Sequence, residues 1–356
     1  LDSTIDTLNI TRRRISIPSV GYAGYIRDGI AYISHNDFIE GSYNEMRSAL
    51  ENIMATDSLR GLILDYRSNG GGVMTEAVDI ASLFVPRGQR IVSLMGRDSS
   101  SLHHYATEHA PIAADVPIVV LVNGASASAS EILAGALQDT DRAVIMGQRT
   151  YGKGLVQTVR ELPYNASLKV TTSKYYTPSG RCVQKIDYSK KRSKGAQGEA
   201  TDTIAPEFYT LAGRPVHEKG GISPDVEIAA ERLPNLLFYL ANSDVLLDFV
   251  TSYTYRYPTI APIEEFEVSD SLFAAFKEAV KASDFTYDRQ SEKALAALKE
   301  VAEFEGYTTD AAAEFAALEK KLSHNIDRDF DIFKEDISEL LRIIRDEPNR
   351  EGGQSV

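Results

Sequence analysis

The sequence has a single cysteine, Cys182, so no disulfide can close within the chain. The lone thiol is read as a small core residue with no catalytic part. Tryptophan is absent. No apolar run approaches the roughly 20 residues that a bilayer-spanning helix needs. Positive charge is short: 38 Lys and Arg against 51 Asp and Glu leave a net charge of -13. That sign argues against broad nucleic-acid binding, which requires a basic footprint. There is no repeat of fixed period and no visible signal peptide, and since the first residue is Leu1 rather than Met, the chain is read as trimmed. What remains is the composition of a globular protein, with enough length, 356 residues, for one large domain or two.

The pattern along the chain is α/β. The first twenty residues alternate in places and are read as strands. GIAYIS (29–34) suits a strand, and SYNEMRSALENIM (42–54) has helical spacing at Met46, Leu50, Ile53 and Met54. Three continuous apolar strands follow: GLILDYR (61–67), PIVVLV (117–122) and RAVIMG (142–147). Helix-like TEAVDIASLFV (75–85) follows the first, and EILAGALQD (131–139) the second. Buried strands alternating with helices predict a mostly parallel sheet. SLKVTTSKYY (167–176) alternates like a further strand, and the polar segment 190–202 reads as a loop. Beyond residue 230 the character changes. Residues 270–345 are charged and helical, with one apolar stripe through Phe315, Leu318, Leu322, Ile326, Phe330, Phe333, Ile337, Leu341 and Ile344. The expected division is 1–20 as entering strands, 21–230 as the core, 231–345 as a helical domain and 346–356 as a disordered tail.

Three stretches carry chemistry. GQRTYGKG (147–154) meets most of a nucleotide-loop pattern, but Gly154 stands where a hydroxyl is required. LVQTV after it is extended, whereas a phosphate loop opens a helix. In VNGASASASEILAGAL a strand gives way to a helix near Ala129 or Ser130. A serine at that junction faces the free N–H groups and positive end of the helix. The N–H following it, that of Ala129, can hold an oxyanion. Ser126, Ser128 and Ser130 compete for this place. Serine is also a favoured helix cap, and Ser130 is read as one. The residues alone leave the cap and nucleophile readings level.

A serine nucleophile needs a base. None of the six histidines, His35, His103, His104, His109, His217 and His324, sits in a comparable motif. Lys153 is the better candidate. A lysine starts near pKa ~10.4 and must be strongly desolvated to act near neutrality. Flanking glycines admit close backbone approach and add no solvating side chain. Gln157 is four residues on, on the same face of an extended segment, and a neutral amide there orients the amine without charging it. SNGGG (68–72) supplies the second oxyanion donor through Gly71 or Gly72.

GLILDYRSNGGG, LVNGASASASEILAGALQD and GQRTYGKGLVQT together resemble the C-terminal processing, or tail-specific, serine peptidases. The resemblance covers residues 10–230 well. It implies a ClpP/crotonase-like α/β core, Ser128 as nucleophile, Lys153 as base and Gln157 completing a Ser-Lys-Gln triad. Asp139 matches a recurrent acidic position taken as structural. No cofactor or metal is implied. The implied partners are protein or peptide substrates with accessible C-termini, a second copy or an adaptor; the implied location is the bacterial envelope, specifically the periplasm. The downstream helices resemble the C-terminal extension of a Bacteroidetes-type subset. Members usually carry a PDZ domain; the residues before Ile15 are too few for one, which is read as trimmed or lost. Two rivals stand beside this reading. An acyl-CoA hydratase or isomerase would need an acid/base carboxylate near the oxyanion site, and no paired carboxylates appear there. A silent peptide-binding homologue is disfavoured by the intact serine, lysine and glutamine.

Overall fold

The structure is a computed structural model that describes residues 11–12, 15, 17–186, 207–217, 220–230, 233–257, 259–261, 265–323 and 325–342. Two compact units divide at Ala230 and Glu231. In chain order the first runs β1 (Val20–Arg27), β2 (Ile30–His35), α1 (Ser42–Thr56), β3 (Gly61–Asp65), α2 (Met74–Ser82), β4 (Arg90–Met95), β5 (His103–Ala106), β6 (Ile118–Val122), α3 (Ala129–Asp139), β7 (Ala143–Gly147), β8 (Leu155–Leu162), β9 (Ala166–Tyr176), β10 (Glu207–Tyr209), β11 (Pro215–His217) and β12 (Val226–Glu227).

One sheet has the order β1-β2-β3-β6-β7-β12. Only the β1–β2 pair is antiparallel; β2–β3, β3–β6, β6–β7 and β7–β12 run parallel. The mostly parallel sheet expected from alternating strands and helices is therefore present. One face of its apolar strands is fully buried, and the other is only partly covered: Tyr32, Ile63, Val119 and Met146 are half-buried and Val144 is 44% exposed. Ile33, Leu62, Leu64, Val120 and Ile145 are almost wholly inaccessible. α1 turns Met46, Leu50 and Ile53 inward, whereas Met54, expected on the same face, is 42% exposed. α3 is buried along its whole length, which accounts for its alanine-rich sequence: small side chains let a helix sit inside the core. A second, antiparallel sheet has the order β5-β4-β9-β8. Most of it is the long β8–β9 hairpin, which carries a bulge between Val156 and Gln157.

The second unit is helical: α4 (Asn235–Ala241), α5 (Asp244–Arg256), α6 (Asp270–Ala282), α7 (Gln290–Glu305), α8 (Ala312–Leu322), α9 (Ile326–Ile332) and α10 (Lys334–Leu341). Helices α4 and α5 precede the region where sequence spacing placed helix. The single apolar stripe resolves into three helices serving two cores. Phe330, Ile337 and Leu341 join Leu236, Leu240 and Phe276, while Phe315 packs with Leu295 and Ala302. Leu318 stays 42% exposed, and Ile344 lies outside the described residues. So do the polar loop 190–202, the tail 346–356 and nearly all of the expected N-terminal strands; sheet pairing among the described residues begins at Val20. No helix among the described residues is long and apolar enough to cross a membrane.

Candidate active site

Because β3, β6 and β7 are adjacent and parallel, their carboxyl ends share one edge of the sheet. The three segments that sequence reading singled out all leave from that edge. Backbone bonds tie them together: Ala127 N donates to Asn69 O (3.0 Å) and Tyr151 N to Ser126 O (3.0 Å).

The three serines separate cleanly. Ser126 is buried, and its hydroxyl donates to Tyr66 O (2.7 Å) while accepting from Asn123 N (2.9 Å). Ser130 is buried too and donates to Asn69 O and Oδ1, both at 3.0 Å. It is not the helix cap that the sequence suggested, because its position inside the first turn aims the hydroxyl at the neighbouring loop. Ser128 is the N-cap of α3, and it is half-buried rather than sealed. Its φ of 57° and ψ of -113° are left-handed and strained for a residue with a side chain. Such a conformation persists only where its surroundings over-determine it.

Glu131 supplies much of that determination. Its carboxylate is fully buried at the start of α3. Oε2 accepts from Ser128 N (2.9 Å) and from Lys153 N (2.8 Å). Oε1 accepts from Gly152 N (2.7 Å) and from Thr150 Oγ1 (2.6 Å). One anion thus fixes the backbone of the serine turn to that of the lysine loop. Burial raises the Glu131 pKa, and the four donors pull against it without cancelling the shift.

Lys153 is half-buried in the loop just before β8. Its flanking glycines are close-packed: a Cβ on Gly154 would lie 2.7 Å from Gln184 N, and Gly154 N donates to Gln184 Oε1 (2.8 Å). The amine makes no hydrogen bond or ion pair to a described residue, so Lys153 Nζ and Ser128 Oγ are not bonded to each other. Gln157 is exposed, without a side-chain partner among the described residues. Simple alternation does not carry from Lys153 to Gln157, because Lys153 precedes the strand and the bulge at Val156 and Gln157 shifts the register.

Three backbone N–H groups are candidate oxyanion donors. Ala129 opens α3, and its N–H has no acceptor within the helix. Gly71 N donates to Asn69 Oδ1 (2.9 Å) and is already committed. The Gly72 N–H has no backbone acceptor among the described residues. Gly71 has a different part: at φ 97°, a Cβ there would lie 2.7 Å from Ser128 Cβ and 2.8 Å from Ala129 N. Only glycine lets the two turns approach this closely.

Asp139 lies at the far end of α3, paired with Arg181 at 2.7 Å, both side chains inaccessible. It also accepts from Ser179 N (2.9 Å). It anchors the β9–Arg181 turn and takes no place beside Ser128. Among the described histidines, His35 is buried under the β3 turn and His104 Nδ1 contacts Ser93 Oγ (2.7 Å); neither is bonded to Ser128.

Sequence reading missed Glu131, Asn69, Thr150 and Tyr175. The first had a visible signal, since Ser128 and Glu131 stand at capping-box spacing. Asn69 two residues before Gly71 also has the spacing of a local Asn turn. Thr150 and Tyr175 have none, because their partners are distant in sequence.

Residues 29–190 match the family model described as Peptidase family S41. Residues 236–345 match one described as Probable PDZ-protease, C-terminal helical domain. A carboxy-terminal-processing protease of Bartonella bacilliformis is 39% identical over 189 residues, covering 52% of this chain and 43% of that protein. A carboxyl-terminal-processing protease of Synechocystis is 40% identical over 180 residues, covering 50% and 41%. Among solved structures, a photosystem II D1 C-terminal processing protease is 32% identical, covers 58% of this chain and 44% of that one, and superposes with a TM-score of 0.44. The aligned region thus spans about two fifths of the curated relatives' length. The match to peptidase family S41 runs from β2 to beyond β9 and takes in all three edge segments.

Proposed function

We propose that the chain is a serine endopeptidase that cleaves protein substrates near their C-termini through an acyl-enzyme. Lys153 Nζ, in its neutral form, takes the proton of Ser128 Oγ as the oxygen attacks the peptide carbonyl. The N–H groups of Ala129 and Gly72 hold the oxyanion, and Gly71 sets their spacing. Lys153 returns the proton to the departing amine, then activates the water that releases the acyl group. Gln157 orients the amine once Lys153 turns onto Ser128. The observation that carries this reading is the shared Glu131 oxygen, which brings the backbone N–H groups of Ser128 and Lys153 onto one atom.

The test is incubation with an unstructured peptide bearing a free C-terminus, read by mass. Cleavage is expected, and Ser128→Ala and Lys153→Ala should each abolish it; full activity in either variant ends the mechanism. A fluorophosphonate label should attach at Ser128. The curated relatives are named as processing proteases, and with them the proposal extends to a periplasmic location, checked by cell fractionation. A homo-oligomer or adaptor complex is the remaining part, checked by sedimentation of the purified chain.

A further inference from the structure

Tyr175 lies on β9, 47 residues from Ser128 in sequence, and is 1% exposed. Its hydroxyl donates to Ser128 O at 3.2 Å, and its own backbone N–H donates to Gly154 O at 3.0 Å. One residue therefore touches the serine turn with its side chain and the lysine loop with its backbone. Its place is fixed from the other side by pairing with Leu94 of β4.

The bond falls on a particular peptide group. Ser128 O belongs to the same amide plane as Ala129 N–H, and a trans peptide points these two in opposite directions. Fixing the carbonyl fixes the aim of the N–H. Donors to the carbonyl also polarise the N–H beyond, since hydrogen bonds in a chain strengthen one another. The same oxygen accepts from Glu131 N (2.9 Å) and Ile132 N (3.0 Å); those are ordinary helix bonds, whereas the phenol is an added donor from another sheet. Burial, reinforced by the charge on Glu131, holds the phenol's pKa well above its ordinary value. The phenol therefore stays protonated, and a donor, at neutral pH.

We infer that Tyr175 is a positioning residue of the oxyanion site, acting through the Ser128–Ala129 peptide and touching no substrate. The inference rests on the serine chemistry proposed above. A group that acts only on the developing oxyanion lowers kcat and leaves ground-state binding alone.

The experiment compares Tyr175→Phe with the wild-type chain on one peptide substrate, on a fluorophosphonate and on a peptidyl boronic acid, which adds to serine as a tetrahedral adduct. Rates are normalised to sites titrated by the fluorophosphonate, so any unfolded fraction drops out. Loss of one hydrogen bond corresponds to a fall in kcat of about 3- to 10-fold. KM should stay within about twofold, and boronate affinity should weaken by the same factor as kcat. A kcat per titrated site equal to wild type overturns the inference. So does a reduced kcat with unchanged boronate affinity, since the loss then comes from elsewhere. If the wild-type chain takes no label at Ser128, the serine chemistry itself fails and the inference falls with it, a result distinct from the other two.

Discussion

Replacing Glu131 with glutamine perturbs the carboxylate on which the two halves of the site meet. The amide has one acceptor oxygen and one NH₂. Directing the NH₂ toward Ser128 N and Lys153 N would orphan two backbone donors. Directing it toward Thr150 and Gly152 orphans one, because the Thr150 hydroxyl can rotate and accept. The second orientation is therefore favoured, and it loosens the loop at Gly152, beside the lysine. One buried, unpaired N–H costs about 1–3 kcal/mol. Removing a buried charge offsets part of this, so the expected net loss is about 1 kcal/mol of stability. The same loosening should lower kcat about tenfold, equivalent to about 1.4 kcal/mol. There is also a signature in pH. Burial raises the Glu131 pKa above its ordinary value, so the folded state binds this proton more tightly than the unfolded chain. Its contribution to stability then shrinks as pH rises through the unfolded value and up to the folded one, and Glu131→Gln should remove that slope. Urea unfolding at several pH values, alongside peptide cleavage, reads all three effects. A variant as stable and as active as wild type would show that the carboxylate does not hold the site together.

Two further expectations concern groups nearby. His35 is 1% exposed between Phe38 and Tyr66, with both ring nitrogens unpaired, and burial pulls its pKa down to about 4. The unfolded chain takes up this proton below about 6.5 and the folded chain does not, so stability falls as pH drops from there to about 4. The full loss is about 3 kcal/mol, and urea titrations of His35→Phe should show a flattened acid limb. Gly71→Ala should sharply reduce cleavage, because the added methyl would enter the space of Ser128 Cβ and Ala129 N in a left-handed backbone. Fluorophosphonate labelling at the wild-type rate in that variant would refute the close approach.

The parts legible in the sequence were those whose cause is local. β3, β6 and β7 announced themselves as continuous apolar runs because one face of each lies in the core and the other is partly covered. α3 followed from the turn into small residues. Ser128 and Lys153 stood out as candidates because their loops are built from serine and glycine, which make these turns possible. The cap was misplaced by two residues because Ser126, Ser128 and Ser130 are chemically alike, and only the loop beside them separates them: Asn69 claims one hydroxyl and the Tyr66 carbonyl another. The bulge between Val156 and Gln157 was hidden for a related reason, since it is set by the partner strand and leaves no mark in LVQTV. The helical stripe was periodic over thirty residues yet divides between two cores, because spacing records which side of a helix is apolar and not what it meets. Tyr175 lay furthest from view. Nothing in SLKVTTSKYY marks one tyrosine as buried, and its consequence arises only where the fold brings its hydroxyl to Ser128 O. In this fold the groups proposed to react are written in short motifs, while those proposed to hold them at the required angle come from wherever the sheet order delivers them. Substitutions that preserve every motif but alter β9 should therefore change turnover more than substrate affinity.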